Sequence, residues 1–161
     1  MTIHSASLET QMTDHEAEPG VLRLWLRLLT CTTLIENQVS SRLRSEFDTT
    51  LPRFDLMAQL ARFPDGLLMS ELSQRMMVSG GNITGITDNL ERDELVERVP
   101  QPNDRRAKKV RLTDKGRIAF DQMATVHATW IDEWLGSLTT QEQQHIYALL
   151  GKIKHHVGNE E

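Results

Sequence analysis

Cysteine is almost absent from this sequence, which holds a single one, Cys31. One cysteine excludes an internal disulfide framework, and no cysteine and histidine spacing matches a zinc site. We therefore expect no metal and no cofactor. Because the neighbours of Cys31 include leucines and an isoleucine and nothing beside it marks a reactive thiol, we favour a small buried hydrophobic residue over a redox sensor.

The sequence also lacks a long uninterrupted apolar run. The longest candidate, at 21–35, is interrupted by Arg23 and Arg27 and falls short of the roughly 20 apolar residues that a membrane span needs. The first 20 residues contain four acidic residues but no Lys or Arg, unlike a secretory signal. We expect a cytoplasmic protein without a membrane partner, and a disordered acidic tail over residues 1–19.

Residue arrangements that support catalysis are missing as well. Catalysis needs a convergent set of nucleophile, base and orienting acid, and no glycine-rich phosphate loop follows a strand pattern here. His145 and His155 lie too far apart along one helix to share a metal ion. We therefore expect that the protein is not an enzyme. The histidines are scattered at positions 4, 15, 127, 145, 155 and 156.

Positive charge, in contrast, is concentrated in one segment of an acidic chain. Between Arg98 and Arg117, eight Lys or Arg stand against Asp104 and Asp114, so this segment carries +6. Because the net charge of the chain is −5, the remainder carries −11. A basic island on an acidic body indicates one face that meets a polyanion while the other faces repel it.

The hydrophobic periodicity predicts six helices and one hairpin. Helical spacing runs from Val21 to about Phe47, and a shorter helix follows Thr50, the candidate cap, and Pro52. Two short helical patterns then flank a polar turn at 78–80, which is typical of a helix-turn-helix. The β-biased stretches "VERV" and "KVRL" at 96–99 and 109–112 predict a hairpin.

Two further helices follow the hairpin. Thr113 is the expected cap of the first, and the spacing of Thr139 and Glu142 predicts a capping box at the second. The outer helices carry more apolar surface than a small winged unit can cover, which favours a homodimer. We predict a mainly α fold with a small β-hairpin wing. Its parts are dimerisation helices at 20–48 and 114–158 and a winged helix-turn-helix at 50–113, in one intertwined domain.

Such a fold is suited to read DNA with its second short helix, "SGGNITGITDN". This helix contains no Arg or Lys, so it offers Asn82, Thr84 and Thr87 to the bases instead. Gly85 lies on the same face, where it would let the backbone approach the DNA closely. The residues that we expect at the DNA are Arg75, Ser79, Gly80, Gly81, Asn82, Thr84, Gly85, Thr87, Arg98, Asp104, Arg105, Arg106, Lys108 and Lys109.

The segment "LERDELVERVPQPNDRRAKKVRLTDKG" resembles the wing of the multiple-antibiotic-resistance-regulator (MarR) family. It meets the family's Asp-x-Arg-x5-Leu-Thr pattern with Asp104, Arg106, Leu112 and Thr113. The stretch from Leu51 to Thr84 is similar to the family's core, and the resemblance covers about residues 20–157. One departure is Glu94, where relatives usually have glycine, so either Glu94 takes a strained conformation or the helix ends differently.

The resemblance implies a homodimeric regulator of transcription that binds a pseudo-palindromic operator in double-stranded DNA, usually as a repressor released by a small ligand. By analogy with the family, Arg106 inserts at the minor groove and Asp104 orients it. The stretch "SGGNITGIT" looks like the form found in regulators of aromatic-acid catabolism, including those that respond to hydroxycinnamoyl-CoA thioesters. The implied effector is therefore an aromatic acid or an acyl-CoA.

In this family the effector site usually lies where the dimerisation helices meet the DNA-binding part. The candidates for effector contacts in this sequence are Trp25, Arg27, Arg53, Met57, His127 and Trp130. Each of them has an alternative interpretation as a core residue. The main alternative function is a winged-helix module that binds protein or RNA without ligand control, because an even spread of cations on the wing would permit it.

Overall fold

A computed structural model of the chain describes residues 20–101, residue 104 and residues 108–158. This part of the chain is mainly helical with a small sheet, so the predicted fold class is confirmed. The elements in chain order are α1 (Gly20–Phe47), α2 (Leu51–Ala61), β1 (Leu67–Leu68), α3 (Met69–Met76), α4 (Gly80–Arg92), β2 (Val96–Pro100), β3 (Lys108–Leu112), α5 (Asp114–Leu135) and α6 (Thr140–Gly158).

One hydrophobic cluster joins the short helices to the sheet. Helix α2 lies at its centre and contacts α4, α5 and β3. Buried residues recur at a spacing of three or four along α1, α2 and α4, as in Val39 and Leu43 or Phe54, Met57 and Leu60, so each of these helices presents one face to the cluster. The side chains that are completely buried include Leu43, Leu56, Met57, Leu60, Leu72, Ile83, Leu90 and Val110.

The sheet has three antiparallel strands in the order β1–β3–β2. Val110 in the middle strand pairs with Leu67 on one side and Arg98 on the other. The hairpin of β2 and β3 was predicted from the sequence, whereas β1 was not. Two residues are too few to show the alternation that identifies a strand, so β1 is defined only by its pairing with β3.

Only the second half of α1 packs into the core. Val39 and Leu43 are buried, while Leu22, Trp25 and Leu29 on the first half stay 41–55% exposed. The prediction that Cys31 is buried is wrong, because this residue lies on the uncovered half and is exposed.

Helix α6 has no buried residue at all, although it carries a regular apolar stripe. The side chains of this stripe are 42–66% exposed. Their spacing of three and four residues places them on one face of the helix. This face is uncovered within the single chain. Its members are Ile146, Leu149, Leu150, Ile153 and Val157. No helix in the part of the chain that the structure describes is long and apolar enough to cross a membrane.

All three predicted cap residues stand at the start of their helices, and two of them make capping hydrogen bonds. The hydroxyl of Thr113 accepts a hydrogen bond from the Gly116 amide at 2.9 Å. At α6 the Thr139 amide donates to Glu142 at 2.8 Å, and the Glu142 amide donates back to the Thr139 hydroxyl at 3.3 Å. The Thr139 amide and hydroxyl bonds lower the pKa of Glu142. Thr50 is the N-cap residue of α2, as predicted, and has an extended backbone, but its side chain makes no capping hydrogen bond.

Candidate nucleic-acid interface

The helix-turn-helix consists of α3, a tight turn and α4. The amide of Val78 donates to the Ser73 carbonyl at 3.2 Å, which closes the end of α3, and Met77 takes a left-handed conformation with φ 54°. Ser79 then caps α4 by accepting a hydrogen bond from the Asn82 amide at 3.4 Å. A serine at this position satisfies a helix amide that otherwise has no partner.

The first two turns of α4 present a polar surface on which three glycines leave the backbone without side-chain cover. Asn82 and Thr84 are exposed, and Thr84 donates a hydrogen bond to the Gly80 carbonyl at 2.9 Å. A Cβ atom built at Gly80, Gly81 or Gly85 would meet no heavy atom of the protein within 4 Å. The packing of the fold therefore does not require these glycines. They leave the backbone of α4 open to whatever lies against this face.

Thr87, which the sequence suggested as a base contact, does not belong to this surface. Its side chain is completely buried, and its hydroxyl donates to the Ile83 carbonyl at 2.7 Å. Thr87 lies four residues after Ile83 and three before Leu90, which are also completely buried, so it belongs to the inner face of α4. The prediction for Thr87 is wrong.

Arg98 is also placed differently from the prediction of a phosphate contact. Its guanidinium donates to Asp88 at 2.6 Å and to Glu91, so it joins β2 to the second half of α4. Burial alone would lower the pKa of Arg98, but its two carboxylate partners raise it above the usual value. Because both partners are acidic, the cation is neutralised within the protein. Arg98 therefore joins the wing to α4, and the phosphate contact predicted for it would have to compete with these two carboxylates.

The wing is described only in part. Lys108 is exposed, Lys109 is half-buried, and Asp104 is exposed. Arg105 and Arg106, the cations predicted for the wing tip, lie outside the described residues. On the strand beyond them, Arg111 donates to Glu97 at 2.7 Å, which pairs the outer faces of β3 and β2.

The end of α4 rests on the start of α5, and a glycine that the sequence analysis did not single out makes this contact possible. Glu94 takes the left-handed conformation with φ 60°, so the first of the two predicted alternatives holds. The Thr113 hydroxyl donates to the Glu94 carbonyl at 2.7 Å. A Cβ at Gly116 would lie 1.8 Å from the Leu95 carbonyl oxygen. Only its position three residues after the cap Thr113 could have drawn attention to Gly116.

Arg75 stands at the end of α3, beside the turn that leads into α4. Its guanidinium lies over the ring of Phe63, with Cζ 4.4 Å from the ring centroid. This contact restrains the side chain while leaving it exposed. A cation held in this way keeps its hydrogen-bond donors available.

Within one chain, most of the candidates for effector contacts do not converge. Met57 and Trp130 are core residues with 0% and 4% exposure. Trp25 and Arg27 lie on the uncovered half of α1. Met57 and Trp130 therefore pack in the core of the single chain, while Trp25 and Arg27 are exposed outside it.

The remaining candidates, His127 and Arg53, each have a partner inside the chain. The His127 ring packs 4.9 Å from that of Phe54, and burial lowers the pKa of His127. Arg53 forms an ion pair with Asp93. Among the residues that the structure describes, no group of three or more His, Cys, Asp or Glu could hold a metal ion.

Comparison with known proteins connects this architecture to one family. The sequence profile described as the MarR family matches residues 47–107. The HTH-type transcriptional regulator PecS of Dickeya dadantii is 26% identical over 148 residues, which are 91% of this chain and 87% of that protein.

Two crystal structures extend this likeness to the fold. A MarR family transcriptional regulator from Silicibacter pomeroyi is 32% identical with a TM-score of 0.72, over 84% of this chain and 94% of that chain. A mutant of MarR from E. coli, complexed with operator DNA, is 26% identical with a TM-score of 0.73, over 83% of this chain and 94% of that chain.

These named relatives are transcriptional regulators, so the prediction that the protein is not an enzyme is confirmed. The Silicibacter pomeroyi regulator is more than 30% identical to this chain, and the match covers more than two thirds of both chains. The chain therefore belongs to the MarR family of transcriptional regulators.

Proposed function

We propose that the protein binds a pseudo-palindromic operator in double-stranded DNA as a homodimer and represses transcription there. The observation that carries this proposal is the outer face of α4. It combines exposed amide and hydroxyl groups at Asn82 and Thr84 with backbone that no side chain covers, directly beside the wing. An Asn side chain can pair with adenine through two hydrogen bonds, and Thr can contact several bases or a thymine methyl group.

The uncovered helices support the homodimer. The stripe on α6 and the first half of α1 expose large apolar side chains in quantities that a monomer in water would not retain. A two-fold dimer buries the same face of both copies and places the two copies of α4, the reading helix of this proposal, in a symmetric arrangement. Half-sites separated by one or more turns of DNA would then match this symmetry.

A mobility-shift titration on genomic DNA fragments tests the proposal directly. We expect tight, salt-sensitive binding to a fragment that contains a palindrome, with much weaker binding to the others. Equal affinity for every fragment would contradict sequence-specific binding. Preferential binding of RNA or of a protein would favour the alternative winged-helix module.

Replacing Gly85 by alanine should change stability and DNA affinity in opposite directions. The added methyl group meets nothing within the protein, so we expect the free energy of unfolding to rise by about 0.5–1 kcal/mol through helix propensity. If the bare backbone approaches the operator, the same methyl group should weaken operator binding about tenfold or more, the equivalent of roughly 1.4 kcal/mol. Urea unfolding and a mobility-shift titration measure the two effects.

Gly151→Ala is the matched control, since its Cβ also meets nothing within 4 Å and it lies on α6 instead of α4. This variant should gain stability without losing operator affinity. If Gly85→Ala keeps the affinity of the wild type, Gly85 does not mark a close approach to DNA.

We further propose that a small aromatic acid or its CoA thioester releases the operator. The similarity of the reading helix to that of regulators of aromatic-acid catabolism supports this effector class. A second support is the half-buried ring of His127, which lies where α2 and α5 meet and packs against the core residue Phe54. Arg27 on the uncovered part of α1 is the candidate partner for a carboxylate or a phosphate.

Thermal-shift and release measurements test the effector. At a hundredfold excess over its Kd, 4-hydroxycinnamate or its CoA thioester should raise the Tm by about 5–10 °C and displace the operator. Arg27→Gln should lose the response, whereas Arg23→Gln, one turn earlier on the same helix, should keep it. A response that is equal in both variants would remove Arg27 from the site, and no response in the wild type would contradict the effector class.

A further inference from the structure

The charges around the reading helix raise a specific question, because α4 faces outward without a free cation in its first two turns. Several cations of the winged region are already neutralised. Arg53, Arg98, Arg111 and Lys115 each form an ion pair with an Asp or Glu. Phosphate affinity must therefore come from cations that have no carboxylate partner.

Between α2 and the start of α5, six cations in the described part of the chain form no ion pair. One of them, Arg92, donates to the side-chain oxygen Oδ1 of Asn89, and another, Arg117, donates to the Ala61 carbonyl. The full set is Arg62, Arg75, Arg92, Lys108, Lys109 and Arg117.

Three of these six, Arg62, Arg75 and Lys109, line one surface pocket of about 270 Å³. They come from three different elements: the end of α2, the end of α3 and strand β3. The turn that separates α2 from β1 forms its wall, and Gly66 holds that turn with φ 85°. The fold thus assembles three cations that are distant in sequence, and Arg75 is already restrained by its contact with Phe63.

We propose that this pocket, formed by Arg62, Arg75 and Lys109, is a phosphate-binding site that holds one backbone phosphate of the operator beside each half-site. Each of the two guanidinium groups can donate two parallel hydrogen bonds to the oxygens of a phosphate. The ammonium group of Lys109 adds a compact positive charge. Lys109 belongs to strand β3 of the wing, and Arg75 lies at the end of α3, just before the turn to α4. The pocket therefore borders both parts of the candidate interface. This inference rests on the proposed DNA binding and extends it to a residue, Arg62, outside the reading helix and the wing.

Two acidic side chains, Glu71 and Asp65, also line the pocket. One of the oxygens of Glu71 accepts a hydrogen bond from the Leu68 amide at 2.7 Å and is already engaged. Asp65 is exposed at the same pocket. Because an exposed carboxylate repels a phosphate, Asp65→Asn should tighten operator binding, whereas loss of a cation should weaken it.

The test compares Arg62→Gln with Arg44→Gln in operator titrations at several salt concentrations. Arg44 is an exposed arginine at the end of α1 and provides the same change of charge away from the pocket. We expect Arg62→Gln to weaken binding about fivefold or more, equally for operator and non-specific DNA. The slope of log K against log salt should fall by about 0.9 per phosphate, or about 1.8 for a dimer with two pockets. Arg44→Gln should leave the slope unchanged.

Phosphate ethylation interference separates a direct contact from a structural effect. Wild-type protein should show one interfering phosphate per half-site that disappears with Arg62→Gln while all others remain. A uniform loss of interference, or a lowered Tm that accounts for the weaker binding, would overturn the inference.

A free anion is the other possible occupant of the pocket. If orthophosphate at constant ionic strength raises the Tm of the wild type but not of Arg62→Gln, and operator affinity is the same in both, the site binds a free anion instead. A wild type that binds no operator would refute the proposed function itself, whereas an unchanged slope in Arg62→Gln refutes only the phosphate site.

Discussion

Gly116→Ala should destabilise the protein by more than about 2 kcal/mol, although it adds only one methyl group to the first turn of a helix. The new Cβ would lie 1.8 Å from the carbonyl oxygen of Leu95 and 2.8 Å from the carbonyl carbon of the same residue. Real Cβ atoms essentially never approach another heavy atom more closely than 3.0 Å. Both neighbouring atoms belong to the backbone, so no side-chain rotation relieves the clash. The start of α5 must move away from the segment that joins α4 to β2.

This displacement has specific consequences, because the same junction carries several hydrogen bonds. The Thr113 amide donates to the Leu95 carbonyl at 3.1 Å, and the Thr113 hydroxyl donates to the Glu94 carbonyl at 2.7 Å. Lys115 donates to the Asp93 carbonyl at 2.9 Å. Urea unfolding at fixed protein concentration measures the loss. Gly151→Ala is again the control, and it should gain about 0.5–1 kcal/mol because its site is open. A stable Gly116→Ala variant would show that α5 does not pack on Leu95 as closely as the structure indicates.

The double substitution Leu149→Glu and Ile153→Glu should convert the protein to a monomer and lower its operator affinity by more than a hundredfold. These side chains are 45% and 44% exposed in the single chain, so the change costs little packing within it. In a two-fold dimer four buried apolar side chains would be replaced by charges, and each contributes about 1.5–3 kcal/mol when fully buried. A monomer contacts only one half-site and loses the avidity of two linked contacts, which raises operator affinity by about 100-fold to 10,000-fold.

Sedimentation equilibrium and a mobility-shift titration give the two readouts. Gln144→Glu is the control, since this exposed residue lies on the opposite side of α6 from the stripe and also gains a negative charge. It should remain a dimer with wild-type affinity. A double variant that is still dimeric at micromolar concentration would show that the stripe on α6 is not the dimer interface.

Much of the fold could be predicted from local patterns. Helix α1 was expected from residue 21 to about 47 and runs over Gly20–Phe47. The hairpin was expected at 96–99 and 109–112 and spans Val96–Pro100 and Lys108–Leu112. These elements could be identified because their apolar periods and cap residues act within a few neighbouring positions.

The partners of individual charges and the burial of individual residues could not be identified in the same way. Thr84 and Thr87 look alike in the sequence and lie only three residues apart on α4, but Thr84 is exposed while Thr87 is completely buried. Arg98 counted as one of eight cations in the basic segment, yet its contacts with Asp88 and Glu91 bridge two elements. Such pairings depend on how β2 approaches α4, which no local pattern encodes.

By itself, the sequence determined the order and type of the helices and the hairpin, the concentration of positive charge near the wing, and the resemblance to one family. Each of these follows from residue spacing or from residues adjacent in the chain. The tertiary structure alone decided which cations remain free, that Arg62, Arg75 and Lys109 share a pocket, and that Gly116 permits α5 to rest on Leu95. These features bring together atoms from distant parts of the chain, so they exist only after α2, α5 and the sheet have packed against one another.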